Sequence, residues 1–338
     1  MGWSRFFSCA ASCLFCLFLA AQPARANGTL PEGPLLMAYF GSWAEQPAEI
    51  ALATRIATLP AYLDIVVLGF ARPDARFDES RPDDLSLTGL QTPYGGRILA
   101  GAVAALHERH PSMRVVLAIG GSAYAALWDK YDPAAIARLV RALGLDGVDL
   151  DYEPAWPGCG PAQIGGGASI RCQSDARWVD FIERTRAVLP RPALLTVPGW
   201  STGAYGAGAF SADKPAGRYA GSMLWLGREP AARQIDLISV MAYEAGPAFD
   251  PARALAAYRS IWAGPLLLGA MVPPDGSGGP EYSVPVLTRY AASQRDERLG
   301  GVMLYSIEQA PPGSPSPARP NGEAAAVAIC RGLGRPGC

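Results

Sequence analysis

Asp146-Gly147-Val148-Asp149-Leu150-Asp151-Tyr152-Glu153 is the stretch from which the rest of the chain can be read. Its apolar positions, with Leu143 and Leu145 before it, describe a short buried strand. Alternation along a strand sends Asp149, Asp151 and Glu153 to one face and Val148, Leu150 and Tyr152 to the other. Three carboxyls crowded beside an apolar core raise one another's pKa, so at least one keeps a proton near neutral pH. A protonated carboxyl of that kind is what a general acid requires. The plainer alternative is an acidic strand end that caps a helix or holds a cation such as calcium, and the spacing of four acids is too regular to favour it.

Composition narrows the chemistry. The 338-residue chain has a formal net charge of −1, with no basic run and no aromatic-basic array, which argues against nucleic acid as a partner. Its only histidines, His107 and His110, read as lying at an exposed helix end. A Ser-His-Asp mechanism or a histidine-bound zinc has almost no material here, and no metal or other cofactor is expected. Catalysis must run on carboxylates, tyrosine or groups of the substrate.

The N-terminus runs from Arg5 through an apolar stretch at 6–21 to Ala24-Arg25-Ala26. That order reads as a secretory signal over residues 1–26, leaving 27–338 as one catalytic domain, exported to the extracellular space or periplasm. The apolar stretch is short for a membrane span and is interrupted by Gln22 and Pro23, so no membrane association is expected after its removal. Cleavage would also remove Cys9, Cys13 and Cys16. Of the four cysteines left, Cys159–Cys172 and Cys330–Cys338 are the expected pairs for an exported protein, among three possible connectivities.

Strand-like apolar runs recur at 35–40, 65–70, 115–119, 147–151, 194–197, 237–242, 266–271 and 302–306. Helix-like stretches lie between them at 48–57, 98–109, 134–142, 176–188, 251–262, 284–293 and 324–331, with a less clear region at 217–233. Eight nearly wholly apolar strands alternating with helices point to an α/β fold, a closed (β/α)8 TIM barrel rather than an open doubly wound sheet. No GxGxxG follows the first strand. Polar Gly/Pro-rich insertions at 72–96, 154–175 and 201–217 follow three strands, on the face where such barrels carry their active sites.

Asp146, Asp149, Asp151 and Glu153 complete the DxxDxDxE signature, and the stretch resembles that of the family 18 glycoside hydrolases, the chitinases and endo-β-N-acetylglucosaminidases. Other strand ends agree in order. Ala38-Tyr39-Phe40-Gly41-Ser42-Trp43 and Val67-Leu68-Gly69-Phe70-Ala71 look like the first two strands. Val116-Leu117-Ala118-Ile119-Gly120-Gly121 is similar to the SxGG motif, with Ala118 in place of Ser. Met241-Ala242-Tyr243-Glu244 resembles MxYD with Glu244 for Asp, and Tyr305 stands where a tryptophan normally floors the sugar site.

By that resemblance Glu153, Asp151, Asp149 and Tyr243 are the catalytic set. Glu153 protonates the glycosidic oxygen, and the substrate's own 2-acetamido oxygen attacks the anomeric carbon. Asp151 holds the acetamido N–H, Tyr243 its oxygen, and Asp149 shares a proton with Asp151. Asp146 is expected to bond backbone at the strand start. Tyr39, Trp43, Phe70, Trp156, Trp200, Met241, Glu244 and Tyr305 are the expected substrate contacts, the aromatics offering faces that suit pyranose rings. Trp128, Trp178 and Trp262 fall on helix-like stretches and are expected to pack helix against barrel. Cis peptides are implied at Gly69–Phe70 and Tyr305–Ser306. The connection 272–300 has no room for the α+β insertion of one branch of the family, which implies an open groove.

The expected activity is retaining hydrolysis of β-1,4-linked N-acetylglucosamine polymers, chitin or chito-oligosaccharides, by a monomer. The alternatives are an endo-β-N-acetylglucosaminidase on N-glycans or peptidoglycan, and a barrel that binds chitin without cleaving it.

Overall fold

The computed structural model describes Met1 and residues 29–165 and 167–338. The secretory signal expected at 1–26, with Cys9, Cys13 and Cys16, falls outside the described residues apart from Met1. Eight parallel strands close a barrel: β1 (Leu35–Gly41), β2 (Ile65–Ala71), β3 (Arg114–Gly120), β4 (Gly147–Asp151), β7 (Leu194–Trp200), β8 (Leu237–Met241), β9 (Leu266–Met271) and β10 (Gly301–Tyr305). The strands stand in the order β1-β10-β9-β8-β7-β4-β3-β2, and β10 pairs with β1 from Leu35↔Gly301 to Ala38↔Leu304. This is the (β/α)8 architecture that eight apolar runs required: both faces of the sheet are covered, so nearly every strand position is buried.

Among the described residues six α-helices surround it: α1 (Gly96–Arg109), α2 (Pro133–Leu143), α3 (Ser174–Val188), α4 (Pro251–Arg259), α5 (Val284–Ser293) and α6 (Gly322–Gly332). The α2 boundaries show the local logic. Asp132 caps the start by accepting from the Ala134 and Ala135 N–H groups at 3.0 Å, and Pro133 enters the first turn. Gly144 ends the helix in the left-handed conformation, φ 69°.

Two connections depart from what the sequence pattern predicts. The stretch 48–57 is not a helix but two 3-10 turns, Ala51–Ala53 and Ile56–Thr58. The Glu45 carboxylate takes the Arg55 and Ile56 N–H groups at 2.9 and 2.8 Å, which anchors the chain between the two turns. The 154–175 insertion is not irregular throughout. It folds into an antiparallel hairpin of β5 (Cys159–Ile164) and β6 (Gly167–Cys172), with Cys159 directly opposite Cys172 and bonded to it. The second expected disulfide, Cys330–Cys338, also forms.

Between barrel and helices lies an aromatic layer. Tyr152, the residue after β4, turns outward and sits 5.2 Å from Trp128, 5.3 Å from Trp178 and 5.0 Å from Phe181. Trp128 and Trp178 therefore pack as expected, and Trp262 is buried with its Nε1 donating to the Pro265 carbonyl at 3.0 Å. His107 is not an exposed helix end. It is half-buried, its Nε2 2.9 Å from Asp146 Oδ2, because Asp146 at the start of β4 faces the last turn of α1. No helix among the described residues is long and apolar enough to cross a membrane.

Candidate active site

The inward face of β4 delivers its acids to the C-terminal end of the barrel. Asp146 stays at the opposite end, where its Oδ2 accepts the Val115 N–H at 2.7 Å and ties β4 to β3. Asp149 is fully buried one layer below the opening. Its register partners are Ala118 on β3 and Thr196 on β7. Ala118 offers no hydroxyl, and Thr196 Oγ1 supplies one from the other side, donating to Asp149 Oδ1 at 2.5 Å. Tyr39 donates to Asp149 Oδ2 at 2.7 Å. Burial raises the Asp149 pKa to about 6, and these two donors hold it from rising further.

Asp151 lies above Asp149, and its Oδ1 is buried without a hydrogen-bond partner. Burial first, then the charges of Glu153 and Asp149, push its pKa well above the ordinary carboxyl range. Glu153 follows on the same face. Burial and then the Glu244 carboxylate raise its pKa to about 7, against the opposing effects of Asp151 and the Ser122 N–H. Near neutral pH the Asp151–Glu153 pair therefore retains protons in a place that faces a cleft. Tyr243 is buried beside it, and desolvation with the neighbouring carboxylates holds its hydroxyl well above the usual phenol range, as a neutral O–H. Tyr305 is likewise raised to about 12.

Backbone conformation at the end of β3 makes room for this group. Gly120 has φ 106°, and a Cβ there would lie 2.3 Å from the Asp151 carbonyl oxygen. Gly121 has φ 75°, and its N–H donates to that same carbonyl at 2.9 Å. Both positions need glycine. The Gly69–Phe70 and Tyr305–Ser306 peptides are cis, at the two strand ends named for them in the sequence.

The cleft above the acids has a volume of about 250 Å³. Asp151, Glu153 and Tyr243 line its floor, and Tyr39, Trp43, Phe70, Trp200, Met241, Glu244 and Tyr305 its walls. On one side Trp43, Phe70 and Tyr39 form a stacked series, with centroids 6.2 Å and 5.9 Å apart. On the other, Trp200 is backed by Tyr219 at 3.5 Å with an interplanar angle of 7°. Asp149 lies beneath the floor rather than in the cleft. Trp156 stands on the loop after β4, 68% exposed and outside the lining.

Several members of the site carry no signal in the sequence pattern. Gln91 lines the cleft from the loop after β2, Ser122, Ala123 and Tyr124 from the 3-10 segment after β3, and Tyr219 stacks behind Trp200. The 72–96 insertion places Gln91 on the site's face without singling it out, and the glycines at 120–121 border Ser122, Ala123 and Tyr124. Among the described residues no group of three His, Cys, Asp or Glu side chains could hold a metal ion.

Residues 35–254 match the model of the glycosyl hydrolases family 18. Solved structures share the fold. A GH18 chitinase from Pseudoalteromonas aurantia is 20% identical with a TM-score of 0.57, covering 88% of this chain and 100% of its own. A family GH18 chitinase from Chromobacterium violaceum is 15% identical with a TM-score of 0.58, covering 91% and 85%. A chitinase from Rhizomucor miehei is 17% identical with a TM-score of 0.53, covering 88% and 99%. No curated protein matches the sequence. A match spanning β1 to α4, on a closed barrel whose cleft is built around the DxxDxDxE acid series, makes the chain a member of the glycosyl hydrolases family 18, a chitinase-like glycoside hydrolase.

Proposed function

We propose that the chain is an exported, retaining hydrolase of β-1,4-linked N-acetylglucosamine in chitin or chito-oligosaccharides, working by substrate assistance. One observation carries this reading: Glu153, with a pKa of about 7, shares a cleft floor with Asp151 and the neutral Tyr243 hydroxyl. A single proton donor beside a second buried acid and a hydroxyl donor suits a reaction whose nucleophile is brought by the substrate.

Glu153 gives its proton to the glycosidic oxygen as the C1–O bond breaks, and the leaving chain departs as an alcohol. The 2-acetamido oxygen bonds to C1 from the opposite face, giving an oxazolinium ion. Asp151 accepts the acetamido N–H and stabilises the positive charge, while Tyr243 donates to the acetamido oxygen. Water then attacks C1, Glu153 takes a proton from it, and the acetamido group is restored. Two inversions retain the anomer. Placing the nucleophile within the substrate gives a large proximity advantage and confines the reaction to sugars with an N-acetyl group at C2.

The test gives the mature chain chitopentaose and a high-mannose glycoprotein together, with products read by mass spectrometry. Shortened chito-oligosaccharides beside an intact glycoprotein support the proposal. A glycan released so that one N-acetylglucosamine stays on the protein overturns the substrate assignment. Glu153→Gln is expected to abolish turnover, with a loss of about 10²–10⁴-fold for the general acid alone. Hydrolysis that survives that change removes Glu153 from its role.

A further inference from the structure

Glu244 is the one non-glycine residue with positive φ among the described residues, at 55°. Backbone in that region costs energy and persists only where its surroundings impose it. Those surroundings are the segment between β9 and α5. The Tyr282 hydroxyl, on a fully buried side chain, donates to the Ala242 carbonyl. Asp275 Oδ2 accepts the Glu244 N–H at 2.7 Å, and Ser277 Oγ accepts the Gly246 N–H at 2.9 Å. Three alternate residues after β8 are thus tied to one neighbouring loop. The ties are themselves linked, since the Ser277 N–H and hydroxyl donate to Asp275 Oδ1 at 2.8 and 2.6 Å. Asp275 is 8% exposed, and both its carboxylate oxygens are engaged in this network.

We propose that Asp275 and Ser277 are positioning residues whose network fixes the backbone at Glu244 and so holds its carboxylate in the cleft it shares with Glu153. The inference rests on the role proposed for Glu153. The groups acting on Glu153 are Asp151 from β4, Glu244 after β8 and the Ser122 N–H after β3. The hydroxyls of Tyr243 just after β8, Tyr305 on β10 and Tyr219 between β7 and β8 feel its charge. Asp275 does not act on it directly; its charge acts on Glu244, which it raises. The two ways Asp275 could matter therefore have opposite signs. Loss of positioning lets the Glu244 carboxylate swing away and lowers the Glu153 pKa. Loss of the Asp275 charge alone leaves Glu244 more fully ionised in place and raises it.

The test is a carbon-13 NMR titration of the full chain labelled at glutamate carboxyls, with Glu153→Gln assigning the Glu153 signal. The titration reads the acid without turnover, so its result stands apart from whether the chain hydrolyses chitin. Asp275→Ala is expected to shift the Glu153 titration to lower pH, and to add nothing when Glu244→Gln is already present. Ser277→Ala, which alters no charge and is the milder change, is expected to shift it the same way by less. The alkaline limb of kcat should move with the titration while KM changes little. An upward shift in Asp275→Ala, an unmoved titration in both variants, or an equal shift with Glu244 already replaced would overturn the proposal.

Discussion

The Tyr39 hydroxyl reaches Asp149 Oδ2 at 2.7 Å, joining residues 110 positions apart in the deepest polar layer of the barrel. With Thr196 on the other oxygen, it satisfies a carboxyl that has no water-exposed surface. Tyr39→Phe leaves that oxygen without a partner, at a cost of about 1–3 kcal/mol in stability. Because the lost donor favoured the ionised form, the Asp149 pKa should rise above about 6. Urea unfolding at pH 5 and pH 8 checks both points: the variant should lose more at pH 8.

The raised acids also give the parent chain an unusual pH dependence. Asp149 and Glu153 hold protons in the folded state, to about pH 6 and about pH 7, that they release earlier when unfolded. Their contribution to stability is complete below the unfolded carboxyl values of about 4 and is lost as pH rises through 6 and 7. The Tm should fall between pH 5 and pH 8, and fall less in Glu153→Gln, which removes one of these titrations. Turnover should also decline above about pH 7 as Glu153 loses its proton.

Two left-handed glycines separate strain from collision. Gly144 at the end of α2 has open space around it, so Gly144→Ala costs only about 1 kcal/mol of backbone strain. Gly120→Ala adds a Cβ 2.3 Å from the Asp151 carbonyl oxygen and 2.6 Å from the Trp128 ring. Strain there is about 1–3 kcal/mol before that collision is counted. Thermal melts should show a larger loss for Gly120→Ala, accompanied by loss of turnover that Gly144→Ala does not show.

Tyr219 is the backing of a cleft wall. Its ring lies parallel to Trp200, and its hydroxyl donates to the Pro154 carbonyl at 3.2 Å. Tyr219→Ala removes a stack of about 0.5–1.5 kcal/mol, roughly a two- to tenfold rise in KM if Trp200 binds substrate. Tyr219→Phe keeps the stack and should keep KM within about twofold of the parent. Steady-state kinetics on chito-oligosaccharides distinguishes the two.

The parts legible in the sequence were those governed by local period. Alternation along β4 gave the facing of Asp149, Asp151 and Glu153, and apolar runs gave all eight barrel strands to within a few residues. What the pattern missed is decided by contacts distant in sequence. The 48–57 stretch has helical composition, yet Glu45 captures two of its amides. The β5–β6 hairpin is rich in glycine and short of large apolar residues, and Ile170 packs where side chains at Gly206 and Gly221 would stand. Gln91 arrives on a loop and Tyr124 on a 3-10 segment, neither with a readable periodicity, and Glu244 gave no sign in sequence of its backbone conformation or of the loop that imposes it.

Closure of the barrel through β10 and β1 has a consequence for how the chain is made. The pairing Leu35↔Gly301 joins residues at nearly opposite ends of the sequence, so it cannot form until β10 has emerged during synthesis. Before then β1 and β9 are open sheet edges, each apolar and able to pair with another chain. The short strand that carries Tyr305 into the cleft is thus also the one that covers both open edges, so closing the barrel and completing the cleft are a single event.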